Sequence, residues 1–146
     1  MSAYKILLEA HSGFRWLVLV LVIVLIARSL TGLFNSGKYQ KIDNILAASF
    51  VGIMHLQLVI GLVLYFFLSP MTNIAFKDFG GAMKDSELRF WAVEHFAVML
   101  LAIIAAQAGR SISKKANDHS VKFRFQAIFF GVSLLLMLFG IPWDRM

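Results

Sequence analysis

Three histidines sit in apolar surroundings: His11 in EAHSGFRWLV, His55 in GIMHLQLVIG and His95 in WAVEHFAVML. Arg15, Arg89 and Glu94 accompany them. Ionisable groups inside apolar helices are expensive, and they usually face a bundle interior, a cofactor or a pathway. Imidazoles on separate helices can clamp haem iron from both sides. Arginines near them would hold the two anionic propionates of haem b. The candidate iron ligands are therefore two of His95, His55 and His11, with Arg15 and Arg89 as propionate partners.

Helical spacing limits the combinations. His11 and Arg15 are four residues apart and share one face. Glu94 and His95 are neighbours, about 100° apart around a helix, and cannot both reach one small site. His55 lies about 15 Å from either end of its apolar run, counted at 1.5 Å per residue. His95 lies ~6 Å outside the midpoint of its run, and His11 further out still. His95 can thus pair with either of the others, while His11 and His55 are the pair worst matched in depth.

Plainer readings stand beside these. His55 needs only a hydrogen-bonding neighbour helix. Arg15 and Glu94 could form an ion pair between the first and third helices. Trp16, Trp91 and Trp143 read as an interfacial belt. His119, in a basic loop, reads as solvated. Three histidines and a carboxylate could also hold zinc, copper or iron. Arg15 beside His11 would repel a bare cation, however, and the depths converge poorly. Met99, four residues after His95, is a weak ligand type that more often packs.

The elements that must position these groups are set by composition. The chain has 146 residues, 60% of them hydrophobic and 15% charged, with a mean hydropathy of +0.77. Soluble domains run at roughly 45–50% apolar and about 25% charged. The excess is too large for one water-facing core, so part of the surface must face lipid. Four apolar runs follow: about 10–30, 45–68, 89–109 and 124–142. Each approaches the ~20 residues that a spanning helix needs. None alternates with period two, as a membrane β-barrel strand would. The expectation is an all-α, integral membrane four-helix up-down bundle forming one domain over 1–146. The first run has a polar head with Glu9, His11 and Arg15 and no small-residue cleavage site, so it reads as a retained helix. Pro70 and Gly80-Gly81 mark the second loop as turns. With no cysteine, disulfides, iron–sulfur clusters, thiolate zinc and covalently attached haem are excluded.

Lysine and arginine set the orientation. Arg28, Lys38, Lys41, Arg110, Lys114, Lys115, Lys122 and Arg124 fall on one side. Lys5, Arg15, Lys77, Lys84, Arg89 and Arg145 fall on the other. The positive-inside rule puts the first group in the cytoplasm and both termini outside. The formal charge of +6 thus reads as loop charge, and no nucleic-acid partner is expected.

The blocks His11-Ser12-Gly13-Phe14-Arg15-Trp16-Leu17-Val18-Leu19, His55-Leu56-Gln57-Leu58-Val59-Ile60-Gly61-Leu62, Leu64-Tyr65-Phe66, Arg89-Phe90, Val93-Glu94-His95 and Ile141-Pro142-Trp143 resemble a family of small bacterial four-helix membrane proteins labelled cytochrome b. The resemblance covers nearly the whole chain. A looser likeness, in architecture only, is to the four-helix haem-binding unit of haem A synthase. The chain lacks that enzyme's second half. The resemblance implies a bacterial inner-membrane location, haem b and electron transfer, alone or within a respiratory assembly. Quinone contact near Glu94 or Gln57 and homo-oligomerisation stay open. No nucleophile–base pair, phosphate loop or dinucleotide fingerprint points to an enzyme with its own substrate. The alternatives are a cofactor-free accessory subunit and, less well supported, a small transporter or metal-handling protein.

Overall fold

The structure, a computed structural model, describes residues 1–145. All its regular elements are helical: α1 (Ala3–Phe34), α2 (Lys41–Val63), α3 (Pro70–Lys77), α4 (Phe79–Ala82), α5 (Ser86–Arg89), α6 (His95–Lys115) and α7 (His119–Gly140). A π-helical turn, Leu64–Leu68, extends α2, and another, Phe90–Glu94, joins α5 to α6. The four continuous stretches Ala3–Phe34, Lys41–Leu68, Ser86–Lys115 and His119–Arg145 are long and apolar enough to cross a membrane.

Each stretch outruns its apolar run because capping side chains carry the helix into polar sequence. The Ser2 side chain accepts from the Lys5 N–H, and the Asp118 side chain from the Ser120 N–H. Gln40 and Asp43 form a reciprocal cap at the start of α2. Helix α1 ends with Ser36 in the left-handed region, at φ 52°. The Gly37 N–H then closes back on the Gly32 carbonyl at 2.9 Å.

Helix α1 packs on α2 and α7, and α6 packs on the same two, so α1 and α6 lie diagonally across a helical bundle. The core runs through Val18, Val22, Leu25, Phe50, Met54, Ile103, Phe130 and Met137. Phe50 and Phe130 meet edge to face at its centre, with ring centroids 5.1 Å apart. Several polar residues join this apolar core, and many large apolar ones lie outside it. Ser29, Asp43, Ser113, Gln126 and Ser133 are buried, while Val20, Ile23, Val59, Leu101, Ile104, Leu135 and Phe139 are exposed.

The segment expected as turns is mostly helical. Pro70 starts α3 at a position where its missing N–H costs nothing. Asp78 caps α4 across Gly80-Gly81, and the Asp85 side chain accepts from the Glu87 and Leu88 N–H groups at 3.0 Å. These short helices gather around Ala75, Ala82 and Ala92 and cover one end of the bundle.

Candidate functional site

The covered end of the bundle contains a cavity of about 160 Å³. His11 and Arg15 enter it from α1, Gln57 and Gly61 from α2, and His95 and Met99 from α6. Leucine, valine, isoleucine and phenylalanine make up most of the remaining wall.

His11 and His95 face one another across the bundle diagonal, with ring centroids 6.3 Å apart and planes at 80°. Two helix geometries place them. His11 lies one turn before Arg15 on the inward face of α1, and His95 opens α6 just after the π turn. The His95 Nδ1–H donates to the Gly140 carbonyl at 2.7 Å. A carbonyl can only accept, so the lone pair of this ring lies on Nε2. Phe90 and Trp91 pack beside the ring, at 5.8 and 5.6 Å between centroids.

Among the described residues, three buried side-chain atoms have no hydrogen-bond partner: His11 Nδ1, Arg15 Nε and Gln57 Oε1. All three belong to residues lining this cavity. The other end of the Gln57 amide is fixed, because its Nε2 donates to the His11 carbonyl at 2.9 Å. Leaving a buried polar group unpaired costs about 1–3 kcal/mol.

The other expected site residues lie elsewhere. His55 is exposed on the outer face of α2, where its Nε2–H donates to Gln107 Oε1 at 2.8 Å. Gln107 therefore supplies the neighbour-helix partner. Arg89 does not line the cavity: its Nε donates to Glu94 Oε1 at 2.8 Å and its Nη1 to the Met83 carbonyl at 3.0 Å. Glu94 is exposed and takes Arg89, so the expected Arg15–Glu94 ion pair does not form. The reason is rotation: Glu94, one residue before His95, points about 100° away from the cavity. Arg15 instead lies over the Trp16 ring, 5.3 Å from its centroid. No group of three or more His, Asp or Glu side chains able to hold a bare metal ion occurs among the described residues. His119 is exposed, as a solvated residue would be, yet it opens α7, and its Nδ1 accepts from the Tyr39 N–H at 2.9 Å and ties the first connection to the start of that helix.

Several lining residues carried little signal in sequence. Met54 and Met137 join Met99 around the cavity. Tyr65 also lines it, and its hydroxyl donates to the Ala92 carbonyl at 2.5 Å, within the π turn before His95. The i, i+4 relation between Gln57 and Gly61 was available as a shared face, but nothing fixed which way that face turns.

A haem iron between two imidazoles bonds one nitrogen of each at about 2 Å, which sets the ring centres about 6 Å apart. The His11–His95 centroid separation of 6.3 Å matches that distance. The Gly140 carbonyl is the kind of outer partner that fixes a metal-binding imidazole. Arg15 is a cationic donor with a free Nε at the same level. The residues present therefore fit the axial and propionate needs of haem b. No family model, curated protein or solved structure matches the chain.

Proposed function

We propose that the chain is a b-type cytochrome of the bacterial inner membrane. It crosses the bilayer four times as an up-down bundle, with both termini on the periplasmic side, and carries electrons within a respiratory assembly or to a quinone. One observation carries this reading: His11 and His95 lie 6.3 Å apart, between ring centroids, beside a cavity that also gathers Arg15 and Gln57, which with His11 hold the unpartnered buried polar atoms found among the described residues. The resemblance noted in the sequence points the same way.

His95 and His11 would be the axial ligands, and Arg15 would pair with a propionate. Haem supplies one-electron chemistry, with a potential set by axial ligands and burial. The chain's own contribution is positioning and an apolar wall. The Gly140 carbonyl holds the His95 ring in one tautomer. Leucine and methionine side chains make most of the site's wall apolar. Arg15 offers a positive charge where anionic groups would otherwise be stranded in a low dielectric.

The test is optical. Protein purified in mild detergent from haem-supplemented cells should give a b-type reduced-minus-oxidised spectrum, with haem b on extraction. His95→Ala and His11→Ala should each abolish that spectrum, while His55→Ala should retain it. A colourless preparation that keeps its helical circular dichroism would sink the proposal.

A further inference from the structure

A second opening lies on the outer face of the bundle, between α2 and α6, toward the end that carries the basic connections. It is a groove of about 370 Å³, bordered by Gly52 and His55 from α2 and by Gln107, Arg110, Ser111 and Lys114 from α6. No carboxylate borders it. Its polar groups form a ladder along the bundle axis. Arg110 Nη1 donates to Asn44 Oδ1 at 2.7 Å near the end of the bundle. One turn deeper, Gln107 Nε2 donates to Ser111 Oγ at 2.9 Å, and Gln107 Oε1 accepts from His55 at 2.8 Å. His55, Gln107 and Lys114 are exposed. The space beside Gly52 is open, since a Cβ there would meet nothing within 4 Å.

This arrangement is costly on a bare lipid-facing surface. Polar side chains at membrane depth normally turn inward or find a partner, yet this ladder faces out. Two cations with no carboxylate on the groove's border call for an anion. The ladder also grades from charged to neutral with depth, as a phospholipid does from its phosphate to its ester oxygens. The groove opens sideways, toward the bilayer. We propose that it binds the headgroup of an anionic phospholipid. The phosphate would sit between Arg110 and Lys114, and the glycerol and ester oxygens would descend toward Ser111, Gln107 and His55. Basic pockets between spanning helices are established lipid sites in general. The proposal rests on the membrane-spanning reading and is independent of haem.

The experiment is native mass spectrometry of the delipidated full chain with equimolar phosphatidylglycerol and phosphatidylcholine. Phosphatidylglycerol adducts should exceed phosphatidylcholine adducts by about fivefold or more. Arg110→Gln with Lys114→Gln should erase the preference. Gly52→Leu, which fills the groove and keeps every charge, should lower it by about threefold or more. Lys38→Gln with Lys41→Gln removes equal charge elsewhere and should leave it intact, with helicity of every variant checked by circular dichroism. Equal retention of both lipids overturns the proposal. So does a preference insensitive to Gly52→Leu, which is surface charge alone. Displacement by millimolar inorganic phosphate makes the groove a soluble-anion site, and loss of adducts on dimerisation makes it a contact between copies; either result also overturns it. A carbonate wash of membranes separates the two levels: release of the chain defeats the spanning reading, while retention without lipid preference defeats this proposal alone.

Discussion

Arg28 and Asp43 form an ion pair of unequal members. Arg28 Nε lies 2.6 Å from Asp43 Oδ1, with side-chain exposures of 41% and 2%. The second Asp43 oxygen accepts from the Gln40 N–H at 2.9 Å. Arg28→Met would leave a buried carboxylate with a single neutral donor, and should cost about 2 kcal/mol. Asp43→Asn keeps an oxygen for the cap and leaves a guanidinium that water can reach, so it should cost under about 1 kcal/mol. Thermal unfolding in detergent, followed by circular dichroism, checks the difference, and equal losses would refute it. The same contrast between depth and direction explains what the residues disclosed in advance. Spacing along the chain gave the shared face of His11 and Arg15, and depth allowed His11 to meet His95. Spacing did not give azimuth. The helices are apolar nearly all round, so nothing in the pattern told that His55 turns outward to Gln107 while Gln57, two residues on, turns inward. Arg28 appeared in sequence only as a marker of orientation, because its partner lies across a connection.

At the scale of elements, the packing of α6 on α7 depends on a glycine. A Cβ at Gly109 of α6 would lie 2.5 Å from Phe129 Cβ on α7 and 3.3 Å from the Phe130 ring. Phe129 Cβ is fixed to its backbone and cannot swing aside, so Gly109→Ala must push the helices apart. The expected loss is about 2 kcal/mol, typical of overpacking. Gly131, on α7, is the internal control. A Cβ there meets nothing within 4 Å, and Gly131→Ala should gain about 0.5–1 kcal/mol from helix propensity. Opposite shifts in the unfolding midpoint are expected, and a neutral Gly109→Ala would show that α6 and α7 can slide. The long helices were legible because apolar composition over ~20 residues is an unambiguous signal. The short helices between α2 and α6 were not. Pro70 and Gly80-Gly81 read as breaks, whereas the proline opens α3 and the glycines lie under the cap of Asp78. The two π turns had no signature either. Tyr65 and Thr72 reveal them only in three dimensions: Thr72 Oγ1 donates to the Tyr65 carbonyl at 2.6 Å, and Tyr65 in turn reaches Ala92.

The whole molecule turns many large apolar side chains outward and keeps several small polar ones inside. Its buried positions include Ser29, Gln126 and Ser133, which bond one another's helices or backbone: Ser133 Oγ donates to the Ala102 carbonyl at 2.8 Å, and Ser29 Oγ to Gln126 Oε1 at 3.2 Å. Its outward positions are branched and aromatic side chains. Small polar residues that bond across helices suit an interior with no hydrophobic drive of its own. If the bundle spans as proposed, the histidine cavity and the basic groove serve opposite leaflets, and orientation decides which side exchanges electrons. Lack of native cysteine makes the question direct. Ser2→Cys and Lys84→Cys, both at exposed positions, should react with a membrane-impermeant maleimide in intact cells. Lys38→Cys and Asn117→Cys, exposed at the other end, should react only after permeabilisation. The reverse pattern would keep the up-down bundle but move the cavity to the cytoplasmic side, and the positive-inside argument would fail. A mixed pattern within either pair would break the four-span traversal itself, since antiparallel neighbours joined by short connections must leave both termini on one face.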